Sequence, residues 1–294
     1  MKLSTSTNIV CDRPDGSVFP LPKTLELASQ AGFKRFDMNF WDWALPHSPF
    51  LTDEWEKWIY EVANSAAKLG VEFGQCHSYT FDFLNPNRSE EEYNYHQMLT
   101  KRSLECCSIL GSKLCVTHPD TDYKAMDLVK SSKAKNIEYF KELLEYSSKF
   151  NMELALENMC DFSIAPKRKY CATPEELVDF VDEFNDSRVG ICWDFEHADI
   201  MKQDQRKSLI YMGDRLKATH VSDTHSTTDT DLMHVMPLFG TVDWKEVMRA
   251  LREINYKGDF SFEAHNYANR LPDELIPTAL KLSYEIGQYL MNLK

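Results

Sequence analysis

Glycine is scarce: there are 10 in 294 residues, and none falls in a Gly-x-Gly-x-x-Gly turn, a Walker A loop or a Gly-x-Ser-x-Gly elbow. The first two patterns let a backbone close on phosphates and the third presents a strained nucleophile, so nucleotide-binding and serine-hydrolase readings lose their main support. The eight cysteines (11, 76, 106, 107, 115, 160, 171 and 192) contain no Cys-x-x-Cys spacing, which removes zinc-ribbon and thioredoxin-like readings. Several lie in apolar, strand-like runs, where a free thiol behaves as a small hydrophobe. No apolar run approaches the roughly 18 residues of a membrane span. The opening Met1-Lys2-Leu3-Ser4-Thr5-Ser6-Thr7 also lacks the apolar core of a signal peptide. A reduced, cytoplasmic protein with no membrane partner is the expectation. Basic charge is short too: 33 Lys+Arg against 46 Asp+Glu give 33 − 46 = −13 at pH 7. That argues against nucleic acid, whose binding is driven by counterion release onto Lys and Arg.

What is present is rhythm. Short apolar runs read as strands at Lys2–Ile9, Lys34–Asn39, Val71–His77, Lys113–His118, Met152–Asn158, Arg188–Asp194, Leu216–Ser222 and Asp259–Ala264. Runs such as Leu154-Ala155-Leu156 and Val189 to Trp193 are apolar on both faces, as a helix-covered parallel sheet requires. Helical patterns fill the gaps. In 54–69, Trp55, Trp58, Ile59, Val62, Ala66 and Leu69 recur at three and four, with Gly70 at the C-cap position. Thr173-Pro174-Glu175-Glu176 reads as an N-cap, a Pro at the first helical position and a capping-box Glu. Leu275, Ala279, Leu282, Ile286 and Leu290 form a last stripe. Eight strand–helix units without a linker predict an α/β fold, a single (β/α)8 TIM barrel over residues 1–294. The rival, a doubly wound open sheet, lacks its Gly-rich first turn.

The strands end on polar residues. They run into Glu157-Asn158, Asp194 (with His197 three residues on), His220 followed by Asp223, and Glu263; two earlier ones finish at His77 and His118. In a barrel these ends share one rim, where the loops build the site. Three carboxylates aimed into one mouth would repel and are costly to desolvate, unless a cation meets them. Two Glu, one Asp and one His make a mostly oxygen donor set suited to one divalent metal ion, Mn2+ first, with Mg2+, Co2+ or Zn2+ as alternatives. Any one of these residues alone reads equally as a satisfied polar strand end. Together, their spacings of 37, 26 and 43 residues each match one strand–helix unit.

Ala155-Leu156-Glu157-Asn158, Gly190 to Ala198, Thr219-His220-Val221-Ser222-Asp223, His234 to Trp244 and Phe262-Glu263 resemble the xylose-isomerase-like barrel superfamily. It includes sugar-phosphate isomerases and epimerases, ketose 3-epimerases, inosose dehydratase and endonuclease IV. The resemblance covers the C-terminal half; in the family's His-x-x-Pro-Gly-x-Gly turn, Pro237 and Gly240 are kept and Leu238 replaces the first Gly. It implies that Glu157, Asp194, His220 and Glu263 bind one metal, with Glu157 and Glu263 also the catalytic acid/base pair. His197, His77, His118, Asp223 and His234 are the expected substrate-binding residues. His77 and His118 read alternatively as buried strand ends or as ligands of further metals. His225 has no assigned role.

A metal-dependent sugar or sugar-phosphate isomerase/epimerase working through an enediolate follows, with a small-molecule substrate, no nucleic-acid partner and a homo-oligomer left open. An inosose-type dehydratase shares the intermediate. An endonuclease IV-like enzyme is the different-class alternative, although Asp231 and His234 are spaced Asp-x-x-His and not Asp-x-His. Weaker signals are the aromatic loop Phe40-Trp41-Asp42-Trp43-Ala44-Leu45-Pro46-His47, Lys167-Arg168-Lys169 as a phosphate holder or a solvated charge run, and Asp37 and Asn39, expected to reach substrate with one of them facing the helices.

Overall fold

Runs that are apolar on both sides can satisfy their backbone and bury both faces only inside a covered sheet. In the computed structural model, which describes residues 1–294 except 14, 47, 162–167, 227, 228, 230, 231 and 294, they do so as one closed parallel barrel. Its strands follow sequence order: β1 (Lys2–Ser6), β2 (Arg35–Asn39), β3 (Glu72–His77), β4 (Leu114–Thr117), β5 (Glu153–Glu157), β6 (Val189–Asp194), β7 (Leu216–Val221) and β8 (Asp259–Phe262). Pairing of Lys2–Thr5 with Asp259–Phe262 closes the ring and leaves no free edge. Each expected strand is present. The first stops at Ser6, whose hydroxyl accepts from Asn8 N and starts a tight turn over Thr7–Ile9.

The outer ring comprises α1 (Leu21–Ala31), α2 (Trp55–Leu69), α3 (Glu90–Ile109), α4 (Leu128–Ser148), α5 (Pro174–Asp182), α6 (Phe195–Ile200), α7 (Gln205–Met212), α8 (Trp244–Glu253), α9 (His265–Ala268) and α10 (Ile276–Asn292). The α2 stripe faces the core, and Gly70 caps it in the left-handed region at φ 63°. Thr173 does cap α5, accepting from Glu176 N at 3.3 Å. The capping box is only half made, however: the Glu176 carboxylate turns to Arg168 and Cys171 N instead of back to Thr173. The α10 stripe also shifts. Ile276, Ala279, Leu280, Ile286 and Leu290 are buried, whereas Leu275 precedes the helix and it and Leu282 are 49% and 41% exposed. Among the described residues no helix is long and apolar enough to cross a membrane. All eight cysteines are buried free thiols.

Inside the barrel, side chains alternate with period two. Val116, Ala155, Cys192 and Ala218 form a buried apolar layer. Two residues further along each strand come His118, Glu157, Asp194 and His220. A layer of small residues thus supports a layer of ionisable ones at the C-terminal rim.

Candidate functional site

Glu157 ends β5, Asp194 ends β6, His220 sits one residue before the end of β7, and Glu263 follows β8. All four are buried, and each offers a ligand atom within 4.8 Å of the others. Glu157 Oε2, Asp194 Oδ2 and His220 Nδ1 are buried polar atoms that make no well-directed hydrogen bond, although His220 Nδ1 lies 3.0 Å from Glu157 Oε2 and 3.1 Å from Glu263 Oε2. Buried orphans are rare and expensive. Three of them converging in an oxygen-rich set fit a divalent cation.

The remaining atoms of the cluster are tied down. Asp194 Oδ1 accepts from His197 N at 2.8 Å, starting α6. Asn158 clamps the ends of β5 and β6, donating to Asp194 O at 2.9 Å and accepting from Asp194 N at 2.6 Å. Asn39 donates to Glu263 Oε1 at 3.0 Å. His220 Nε2 lies 3.2 Å from Asp37 Oδ2, which also accepts from Gln75 at 2.7 Å. With an ion bound, the Asp37 contact would hold the ring proton on Nε2 and free the Nδ1 lone pair for the metal, the usual arrangement of a ligating histidine.

Asp37 and Asn39 are therefore corrected in both respects. They are two residues apart and share one face, so both point inward, and they hold His220 and Glu263 instead of reaching substrate. Asp223 is corrected as well. It is fully buried, with Oδ1 accepting from Thr224 N and Val242 N and Oδ2 from Leu238 N and Trp244 Nε1, so its carboxylate shapes the β7 loop and has no oxygen left for a sugar.

Burial pushes the charged carboxylates up, and their neighbours decide the rest. Glu263 is raised to about 7 by burial and by Glu157, against the pull of His220. Asp194 is raised to about 6 for the same two reasons. Glu157 goes the other way: burial raises it, but His220 and His118 outweigh that and hold it well below the carboxylate range. His220 is raised far above the usual histidine value despite burial, with Cys192, Glu263 and Glu157 responsible.

Above the cluster opens a cavity of about 650 Å3, lined in part by His118, His197, His234, Trp41 and Lys169. His197 Nδ1 lies 2.8 Å from Asn158 O, which turns its other ring nitrogen away from β5. His77 and His118 meet at 2.9 Å through their Nε2 atoms, and both approach Glu157 Oε2, at 3.5 and 3.2 Å. His77 is buried, and only His118 of the pair lines the cavity. In the aromatic loop, Trp41 lines the cavity and is 52% exposed, while Phe40 stacks on Phe50 and Trp43 packs against Trp58. Arg168 is paired with Glu176, and Lys169 shares the cavity wall with Asp82 and Asp120. His225 is exposed. His47, Lys167 and Asp231 lie outside the described residues. Two residues beside the mouth escaped sequence reasoning: Glu196, a fully buried carboxylate in α6 just after Asp194, and His265, two residues past Glu263.

The chain belongs to the xylose isomerase-like TIM barrel family, whose model matches residues 25–286. A D-psicose 3-epimerase of Enterocloster bolteae is 27% identical over 164 residues, covering 56% of this chain and 50% of that protein. Protein MJ1311 of Methanocaldococcus jannaschii is 24% identical over 271 residues, covering 90% of this chain and 88% of that protein. The chain spans about half the length of the first curated relatives it matches. The fold is also that of D-psicose 3-epimerase from Clostridium cellulolyticum H10, solved with D-tagatose, with a TM-score of 0.75, 15% identity and 99% of each chain covered.

Proposed function

We propose that the protein is a divalent-metal-dependent sugar isomerase or epimerase that moves a proton through an enediolate. The observation that carries this reading is the convergence of Glu157, Asp194, His220 and Glu263 on one point beneath the cavity, with buried orphan atoms facing it. These four residues would hold the ion. When bound, a divalent ion supplies Lewis acidity, polarising a carbonyl and steadying the negative oxygen.

The chain's own residues supply the proton chemistry. Glu157 and Glu263 stand three strands apart in an eight-strand ring and so approach from different directions. One takes the proton from the carbon beside the carbonyl and the other returns one, to the opposite face or to the adjacent carbon. His197, fixed through Nδ1, binds a substrate hydroxyl with Nε2, and His118 and His234 line the same space. An unphosphorylated sugar fits this mouth better than a sugar phosphate, because Arg168 is already paired and Lys169 shares the cavity wall with Asp82 and Asp120. A single metal centre is also favoured over a three-metal nuclease site. The two potential ligand groups among the described residues both include Glu157 and His220.

Incubation with Mn2+ and a panel of ketoses in D2O, followed by proton NMR, tests the proposal. Deuterium at the carbon next to the carbonyl is the expected result, loss of water would point to the dehydratase, and cleavage of abasic DNA without sugar exchange would overturn the reading.

A further inference from the structure

Glu196 lies against His234, which lines the cavity; it takes no part in the proposed metal centre and exposes no surface. A carboxylate in such a place needs donors, and they gather on one oxygen. Oε2 accepts from the Ser222 hydroxyl at 2.6 Å and from the His234 backbone N–H at 2.8 Å, and it lies 3.3 Å from His234 Nδ1. His234 itself is held in the left-handed region at φ 48°, a conformation that costs a side chain-bearing residue roughly 1–2 kcal/mol. Its ring stacks on His265 with centroids 4.3 Å apart, and His265 Nδ1 lies 3.3 Å from an Asn8 amide that donates to Asp42 at 2.6 Å. Nδ1 being taken, Nε2 is the ring nitrogen left for the cavity that His234 lines.

We propose that Glu196 is a positioning residue: by holding both the backbone and Nδ1 of His234, it aims His234 Nε2 at a substrate oxygen. The proposal rests on the isomerase reading only for the nature of that oxygen. The surroundings agree with it. Burial opposes a charged His234 ring, whereas Glu196, the largest of the opposing carboxylates, raises it, in line with a carboxylate held against Nδ1 at 3.3 Å.

The test is a cycle of Glu196→Gln, His234→Asn and the double variant, read by deuterium incorporation into the ketose and by 15N NMR of the His234 imidazole without substrate. Glu196→Gln is expected to lower kcat at least tenfold with bound metal unchanged, to move the His234 nitrogen resonances, and to add nothing once His234 is Asn. Unmoved resonances, or the full loss persisting in the His234→Asn background, would overturn the proposal. Ser222→Ala, which removes the 2.6 Å donor, should move the same resonances less and serves if Glu196→Gln does not fold. Because the NMR arm needs no turnover, it decides the Glu196–His234 link even where no ketose reacts.

Discussion

Three of the proposed ligand residues have one atom held by a neighbour, His220 by Asp37, Glu263 by Asn39 and Asp194 by the α6 N-terminus, and Glu157 Oε1 lies 3.4 Å from His197 Nδ1. Glu157→Gln and Glu263→Gln should each cut turnover by about 10²- to 10⁴-fold, the usual worth of a positioned acid or base. Both should also weaken metal retention, measured by metal analysis after dialysis. Near-normal activity in Glu263→Gln would end the two-glutamate mechanism. Asp37→Asn keeps the donor set but loosens His220, and a drop in metal affinity of about 10–100-fold is expected by isothermal titration. The four residues of the buried cluster were legible in the sequence because carboxylates at apolar strand ends violate the burial rule. Asp37, Asn39 and Asp223 were misread for a different reason: which oxygen is engaged, and by what, depends on partners far along the chain.

Among the elements, the β7 loop makes the sharpest case. Leu238 takes the place of a family glycine and adopts φ 77°, in the region glycine favours. Leu238→Gly should therefore stabilise the fold by about 0.5–1 kcal/mol in a urea melt, through relief of strain. Gly240 has no such freedom. A Cβ there would lie 2.3 Å from Asp223 Oδ1 and 2.4 Å from Thr224 O, so Gly240→Ala should open the loop and raise KM more than it lowers kcat. The eight strands, the α2 stripe with Gly70, and the Thr173 cap were readable from local pattern alone. The capping box and the α10 face were not. Glu176 is drawn to Arg168 by an ion pair that the spacing does not reveal, and the buried face of α10 is set by what packs beneath it.

At the level of the whole molecule, the mouth concentrates charge that only a cation or protons can balance. His197 is raised to about 9 although burial lowers it, with Cys160 and Glu157 outweighing burial, and His234 also reaches about 9. A base whose folded pKa is raised contributes stability that is complete below its unfolded value, roughly pH 6.5, and is lost as pH climbs through the folded value. Metal-free protein should accordingly melt at a progressively lower temperature between pH 6.5 and 9, by about 2–4 °C for each kcal/mol lost. Scanning fluorimetry checks this, and a Tm that rises over that interval would contradict the charge assignment.

Anomalous diffraction from crystals grown with excess Mn2+ reaches the central claim most directly. One peak enclosed by Glu157, Asp194, His220 and Glu263 is the predicted result; no peak there, or manganese seated only on His77 and His118, would contradict it.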